Sequence, residues 1–171
     1  PKKYESRVTN PFFSFNELQF LKQLVHNDLS KDPREPSTIK ILDLGFGTGL
    51  LFSKQNNNYY IEGVDLSRKM LDEAAKKKVY SKLTQANILE YLVRSIFKFD
   101  YVTACSVVQF FSITQLEKLV SLVKGASNPG GIFYFSFDLG EKYRLNSKGF
   151  YEYPINKIEK ILIRENLIHN F

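Results

Sequence analysis

Cysteine is nearly missing from this chain of 171 residues: Cys105 stands alone, which excludes an internal disulfide. Also missing are an Arg-flanked apolar leader and any run of about 18 apolar residues, so nothing directs secretion or membrane insertion. The expectation is a cytoplasmic protein with no membrane partner. No methionine opens the sequence, and Pro1 is read as a processed, trimmed or partly ordered start with flanking residues absent. There is no internal repeat, no low-complexity segment and no His/Cys cluster that suggests a metal. Cationic charge is plentiful but undirected. The formal charge of +6 leaves nucleic acid open as a partner, yet the lysines are scattered and the one dense cluster, Lys76-Lys77-Lys78, suits a solvated helix end.

What is present is an alternation of short apolar runs with helical patterns. Ser14-Phe15-Asn16-Glu17 has capping-box spacing, and Leu18, Leu21, Leu24, Val25 and Leu29 then recur at helical intervals, predicting a helix from Phe15 to about Leu29. Residues 1–38 are read as an N-terminal helix and lid segment whose Tyr4, Phe12, Phe13 and Phe15 fold over a ligand mouth or pack in the core. Residues 39–171 are read as the main domain. Strands are expected at 39–44, 59–64, 82–86, 99–105 and 132–137. Helices are expected after Ser67, over 89–96, after a Thr114 cap, and after Pro154. Asn128-Pro129-Gly130-Gly131 is read as the stop before the last strand. This order implies a doubly wound α/β domain, a mainly parallel sheet with helices on both faces and ligands at the strands' carboxyl ends. The antiparallel strand pair that commonly follows the last helix is expected to be truncated or missing, with Leu167 to Phe171 at most its beginning.

Between the first strand and a short helix lies Asp43-Leu44-Gly45-Phe46-Gly47-Thr48-Gly49, where glycines let the backbone turn sharply and approach a ligand. A dinucleotide fingerprint would place glycine or alanine at 50, which is Leu50, and no Gly-Lys-Ser/Thr completes a P-loop. The spacing is GxGxG. Asp43 at the strand end would repel a pyrophosphate and attract an ammonium, pointing to a cationic cofactor. Asp65, 20 residues after Gly45 at the end of the next strand, suits both ribose hydroxyls, with Leu66 beside the adenine.

Through ILDLGFGTGLL, GVDLSRKMLDEA and NPGGIFYFSF the chain resembles the class I S-adenosylmethionine-dependent methyltransferases. The resemblance implies S-adenosylmethionine as cofactor and S-adenosylhomocysteine as product. It carries the methionyl and ribose contacts to Asp43, Gly45, Gly47, Gly49 and Asp65, and the remaining cofactor surroundings to Phe46, Leu66, Met70, Asn87, Ile88 and Cys105. VYSKLTQANILEYL, FKFDYVTACSVVQFF and GFYEYPINKIEKILIRENLI further resemble the bacterial predicted methyltransferases grouped with tetratricopeptide-repeat proteins. Two positions depart from the family pattern. Asn87 stands where an acid usually meets the adenine amino group, and Phe46 where a small residue is common, so its ring must turn away or narrow the pocket.

No catalytic residue is assigned, because methyl transfer can be driven by alignment and desolvation alone. Cys105-Ser106-Val107-Val108-Gln109 lacks the Asn-Pro-Pro-Tyr arrangement of amino-base methylation, and Cys105 has no Pro-Cys setting. His26 and His169 are read as surface residues. Tyr143, Tyr151 and Tyr153 with Arg144 and Lys148 form either a recognition loop or a packed loop. The expected activity is methyl transfer to oxygen, nitrogen or carbon of a small molecule; the alternatives are an inactive binding subunit and an RNA methyltransferase.

Overall fold

The computed structural model describes residues 17–53 and 58–167, and its layering follows from the strand Lys40–Leu44, β1. Successive strand side chains point to opposite faces. Ile41 accordingly joins one apolar cluster while Leu42 and Leu44 join another, and all three are fully buried. A strand apolar on both faces belongs inside a sheet covered on both sides. That sheet has five parallel strands in the order β3-β2-β1-β4-β5, with β2 at Tyr60–Asp65, β3 at Lys82–Gln85, β4 at Phe99–Ala104 and β5 at Ser127–Phe135. The expected doubly wound α/β architecture is the one found.

Helix α1, Glu17–Lys31, covers one face by burying Leu18, Leu21, Val25 and Leu29 against Ile39, Ile41, Ile61 and Tyr101. Each such side chain stabilises by about 1.5–3 kcal/mol, so tertiary burial rather than propensity holds this helix. The capping box at Ser14 lies outside the described residues, as do the aromatic segment Tyr4 to Phe15 and His169. Helix α2, Arg68–Ala75, packs Leu71 and Ala74 on Phe46, and Tyr80 joins that cluster to the one beneath α1. On the opposite face lie α3 at Ile88–Arg94, α4 at Ile113–Ala126 and α5 at Ile155–Arg164.

Several local expectations need correcting. Ser112, not Thr114, caps α4: its hydroxyl accepts from the Gln115 N–H while the Gln115 side chain accepts from the Ser112 N–H, a reciprocal box that places Thr114 inside the first turn. Ser67 precedes α2 without a side-chain capping bond. Asn128 to Gly131 does not stop the chain before β5 but bulges within it, since Ser127 pairs with Phe99 and Ile132 with Tyr101. The stretch after β5 forms a small second sheet that sequence reasoning missed, in the order β6 (Asp138–Leu139), β8 (Tyr151–Tyr153), β7 (Arg144–Leu145), with β7 and β8 antiparallel. Leu167 is not in a strand, and 168–171 lie outside the described residues.

The amino ends of the central strands are tied by ions. Arg34 bridges Asp32 at 2.7 Å and Asp100 at 2.6 Å. Asp100 also accepts from the Lys40 N–H at 2.8 Å and from the Asn128 amide at 2.9 Å. Start of β1, start of β4 and the β5 bulge therefore share one carboxylate, leaving the opposite, carboxyl ends of the strands for the site.

Candidate functional site

At the carboxyl end of β1 the chain must reverse into the glycine turn, and Gly45, Gly47 and Gly49 all have positive φ, of 65°, 57° and 75°. Gly45 also has no room for a side chain, since a Cβ there would lie 2.3 Å from Val107 Cγ2. Its N–H donates to the Val64 carbonyl at 2.7 Å, fastening the turn to β2. Asp65, ending β2, accepts from the Gly47 N–H at 2.9 Å and from the Ser67 N–H at 2.8 Å. The second acid thus shapes the turn that follows the first.

Asp43 points to the α1 side of the sheet and is 1 % exposed. Its oxygens accept from the Tyr80 phenol at 2.7 Å and the Thr103 hydroxyl at 2.8 Å. Burial pushes its carboxyl up to about 6, with Asp65 adding to the rise and the two hydroxyl bonds opposing it. Among the described residues its partners are hydroxyls, not a cation. A narrow cleft of about 20 Å³ opens beside it, lined by Asp43, Gly45, Phe46, Thr48, Cys105 and Leu18 of α1 among others.

Beyond β4 the backbone takes a left-handed turn at Ser106, φ 56°, unusual for a residue with a side chain. Three bonds hold it there: its N–H donates to Ser136 Oγ at 2.8 Å, its hydroxyl to Glu17 at 3.0 Å, and its carbonyl accepts from Gln109 at 2.9 Å. This turn sets Val107 over Gly45. Burial, then the negative charge of Glu17, pushes the Cys105 thiol up to about 12, so it borders the cleft as a neutral group.

The sequence-predicted residues separate into groups. Asp43, Gly45, Phe46 and Cys105 line the cleft, and Asp65 joins them through Gly47. Leu66, Asn87 and Ile88 follow β2 and β3 at the same sheet end, where the Ala86 N–H donates to the Asp65 carbonyl at 3.1 Å. Leu66 is 70 % exposed. The Asn87 side chain caps α3 by accepting from Leu89 and Glu90. Met70 packs with the Phe46 cluster. The Phe46 ring lies over Gly63, whose Cβ would come within 2.7 Å of it, and against Tyr80 at 5.3 Å between centroids. Tyr80, Thr103, Thr48 and Ser106 escaped sequence reasoning. Thr103 was findable, since strand alternation from Tyr101 places it on the Asp43 face.

His26, expected at the surface, is partly buried, and burial with nearby Lys22 lowers its pKa. The tyrosine stretch is packed rather than open: Tyr153 is fully buried, Tyr143 stacks on Tyr151 at 5.5 Å, and Arg144 is paired with Glu152 at 2.6 Å.

Residues 41–131 match the sequence family described as the methyltransferase domain. Carboxy-S-adenosyl-L-methionine synthase of Campylobacter curvus is 30% identical over 105 residues, 59% of this chain and 45% of that protein. The chain spans about half the length of the curated relatives it matches. Among solved structures, magnesium protoporphyrin IX methyltransferase from Synechocystis with bound SAM superposes with TM-score 0.65 at 21% identity, covering 86% of this chain and 67% of that one. An S-adenosylmethionine-dependent methyltransferase from Clostridium acetobutylicum gives TM-score 0.67 at 18% identity, covering 95% and 84%. These two likenesses establish the fold. Among the described residues no helix is long and apolar enough to cross a membrane.

Proposed function

The chain belongs to the methyltransferase-domain family, and on that premise we propose that it binds S-adenosylmethionine in the cleft beside Asp43 and transfers its methyl group to a small-molecule acceptor. One observation carries this reading: a buried carboxylate with no cationic partner among the described residues lines a cleft at the glycine turn, and the neighbouring acid, Asp65, is bonded into that turn. The residues present fit the group. Asp43 suits an ammonium, and the Thr48 hydroxyl, buried in the cleft wall, has no partner among the described residues and can turn to a ligand. Each Asp65 oxygen accepts one amide and keeps a further lone pair for a ribose hydroxyl.

When bound, the cofactor supplies an electrophilic methyl group on a sulfonium sulfur. The protein's part is to orient and to dry. Asp43 holds the amino group, Asp65 the ribose, and the turn lets the backbone approach both. Leu18, Leu51 and the neutral Cys105 give the cleft apolar walls that keep water from the reacting centre. A small acceptor is favoured because no Asn-Pro-Pro-Tyr arrangement follows β4 and the lysines are spread along the chain with one dense cluster at 76–78. Within the family, the segments around Tyr80, Val107 and Tyr151 support a place with the bacterial methyltransferases grouped with tetratricopeptide-repeat proteins.

Calorimetric titration with S-adenosylmethionine and S-adenosylhomocysteine tests the foundation. Binding that Asp65→Ala weakens by about ten- to a hundredfold is the expected result. If neither compound binds at millimolar concentration, the cofactor assignment is overturned.

A further inference from the structure

A carboxylate that must attract a cation from inside a dry cleft needs something to keep it charged. Asp43 is fully enclosed, and among the described residues the ionisable groups facing it are Tyr80 from the loop before β3, Asp65 from the end of β2 and Cys105 after β4. None of these brings positive charge. Glu17, the acid that α1 contributes nearby, is bonded to Ser106. Burial and the Asp65 charge both favour the neutral acid; opposing them are the two hydroxyls, Tyr80 on Oδ2 at 2.7 Å and Thr103 on Oδ1 at 2.8 Å.

The Tyr80 ring is itself held in place. Gly49 passes so close that a Cβ there would lie 2.8 Å from Tyr80 Cε2, and Phe46 packs at 5.3 Å on another side. Burial, and then the charge of Asp43, keeps the phenol protonated far above its ordinary range, so in this contact it can only donate. Glycine turn, ring and carboxylate thus form one rigid unit.

We propose that Tyr80 is a positioning residue for the cofactor: by donating its phenolic proton to Asp43 it keeps that carboxylate ionised and fixed in orientation, ready for the cofactor's ammonium. The inference rests on the cofactor reading given above. It also makes Tyr80 more than a packing residue, because the proton and not the ring does the work. Thr103 plays the same part from β4.

Tyr80→Phe retains the ring and removes the donor. Binding of S-adenosylhomocysteine, measured calorimetrically from pH 5.5 to 9, should have its pH midpoint moved up by about one pH unit from about 6, so that affinity weakens about twofold at pH 7 and nearly tenfold at pH 5.5 and recovers in alkali. The same upward movement should appear without any cofactor when the Asp43 carboxyl carbon is titrated by NMR. Thr103→Val is the second variant, with the same expected direction, and serves if Tyr80→Phe does not fold. A midpoint unchanged in the folded variants, by both binding and NMR, overturns the proposal. Failure of the wild-type chain to bind cofactor is a different result: it overturns the cofactor reading, and the NMR titration still decides whether Tyr80 controls the ionisation of Asp43.

Discussion

The Asp65 carboxylate accepts the backbone N–H of Gly47 at 2.9 Å, so the acid that ends β2 holds in shape the turn that ends β1. Truncating this side chain consequently removes turn support and the proposed ribose contact together. Asp65→Ala should weaken cofactor binding by about ten- to a hundredfold, because a hydrogen bond to a charged group contributes about 1.5–3 kcal/mol. Asp65→Asn, which can still accept from Gly47, should lose less. Calorimetry on both variants distinguishes them; equal losses would mean the turn does not depend on this bond.

Asp43 sets stability against function. Its folded pKa, about 6, is above that of an unfolded carboxylate, so the fold favours the protonated acid. That contribution is fully present below about pH 4 and is lost as pH rises through 6, a difference of about 3 kcal/mol at pH 8. Asp43→Asn should therefore melt higher than wild type at pH 8, with the advantage shrinking towards pH 4, while cofactor affinity falls sharply. A pH series of apo melting curves checks the first part and calorimetry the second.

Gly45 is required twice over. Gly45→Ala places a Cβ 2.3 Å from Val107 Cγ2 and also puts an ordinary residue at φ 65°. The expected loss is about 2–4 kcal/mol, of which the backbone accounts for about 1–2. Combining it with Val107→Ala should recover the steric portion alone. Denaturant melts of the double-mutant cycle measure the division, and full recovery would show that the left-handed backbone costs nothing here.

The Arg34 network should set the acid limb of stability. Bonding to Arg34 depresses the Asp32 carboxyl below its ordinary range; Asp100 is also depressed, because its bonds to Lys40, Arg34 and Asn128 outweigh the opposing effect of burial. Depressed carboxylates stabilise above their unfolded pKa, near 4, and that stabilisation is lost as pH falls through the folded values. Arg34 is 44 % exposed along its side chain, so screening keeps the effect modest. Arg34→Ala should lower the melting temperature by a few degrees at pH 7 and by less at pH 3, a narrowing that parallel melts would reveal.

Much of this fold was legible in the sequence because β1, β2 and β4 are mostly apolar and buried on both faces, and β1 and β2 run into glycine or acid, as in a covered parallel sheet. The placement of Asp43 and Asp65 at the carboxyl ends of β1 and β2 could be read from spacing alone. Tyr80 could not: it lies in a loop 37 residues from Asp43, and no local periodicity ties the two together. The second sheet was illegible for another reason. Its strands have two or three residues, too short for alternation to register. At the α4 start Thr114 was expected as the cap, and Ser112 takes that place because Gln115, three residues on, completes the reciprocal box.

The ring of Phe46 resting on the bare backbone of Gly63 makes the two positions a single unit of inheritance. While phenylalanine stands at 46, position 63 has no freedom to acquire a side chain. Lineages that carry a small residue in the glycine turn are released from that restriction, so across descendants of a common ancestor the identities at these two sites should change together, although neither residue carries any chemistry.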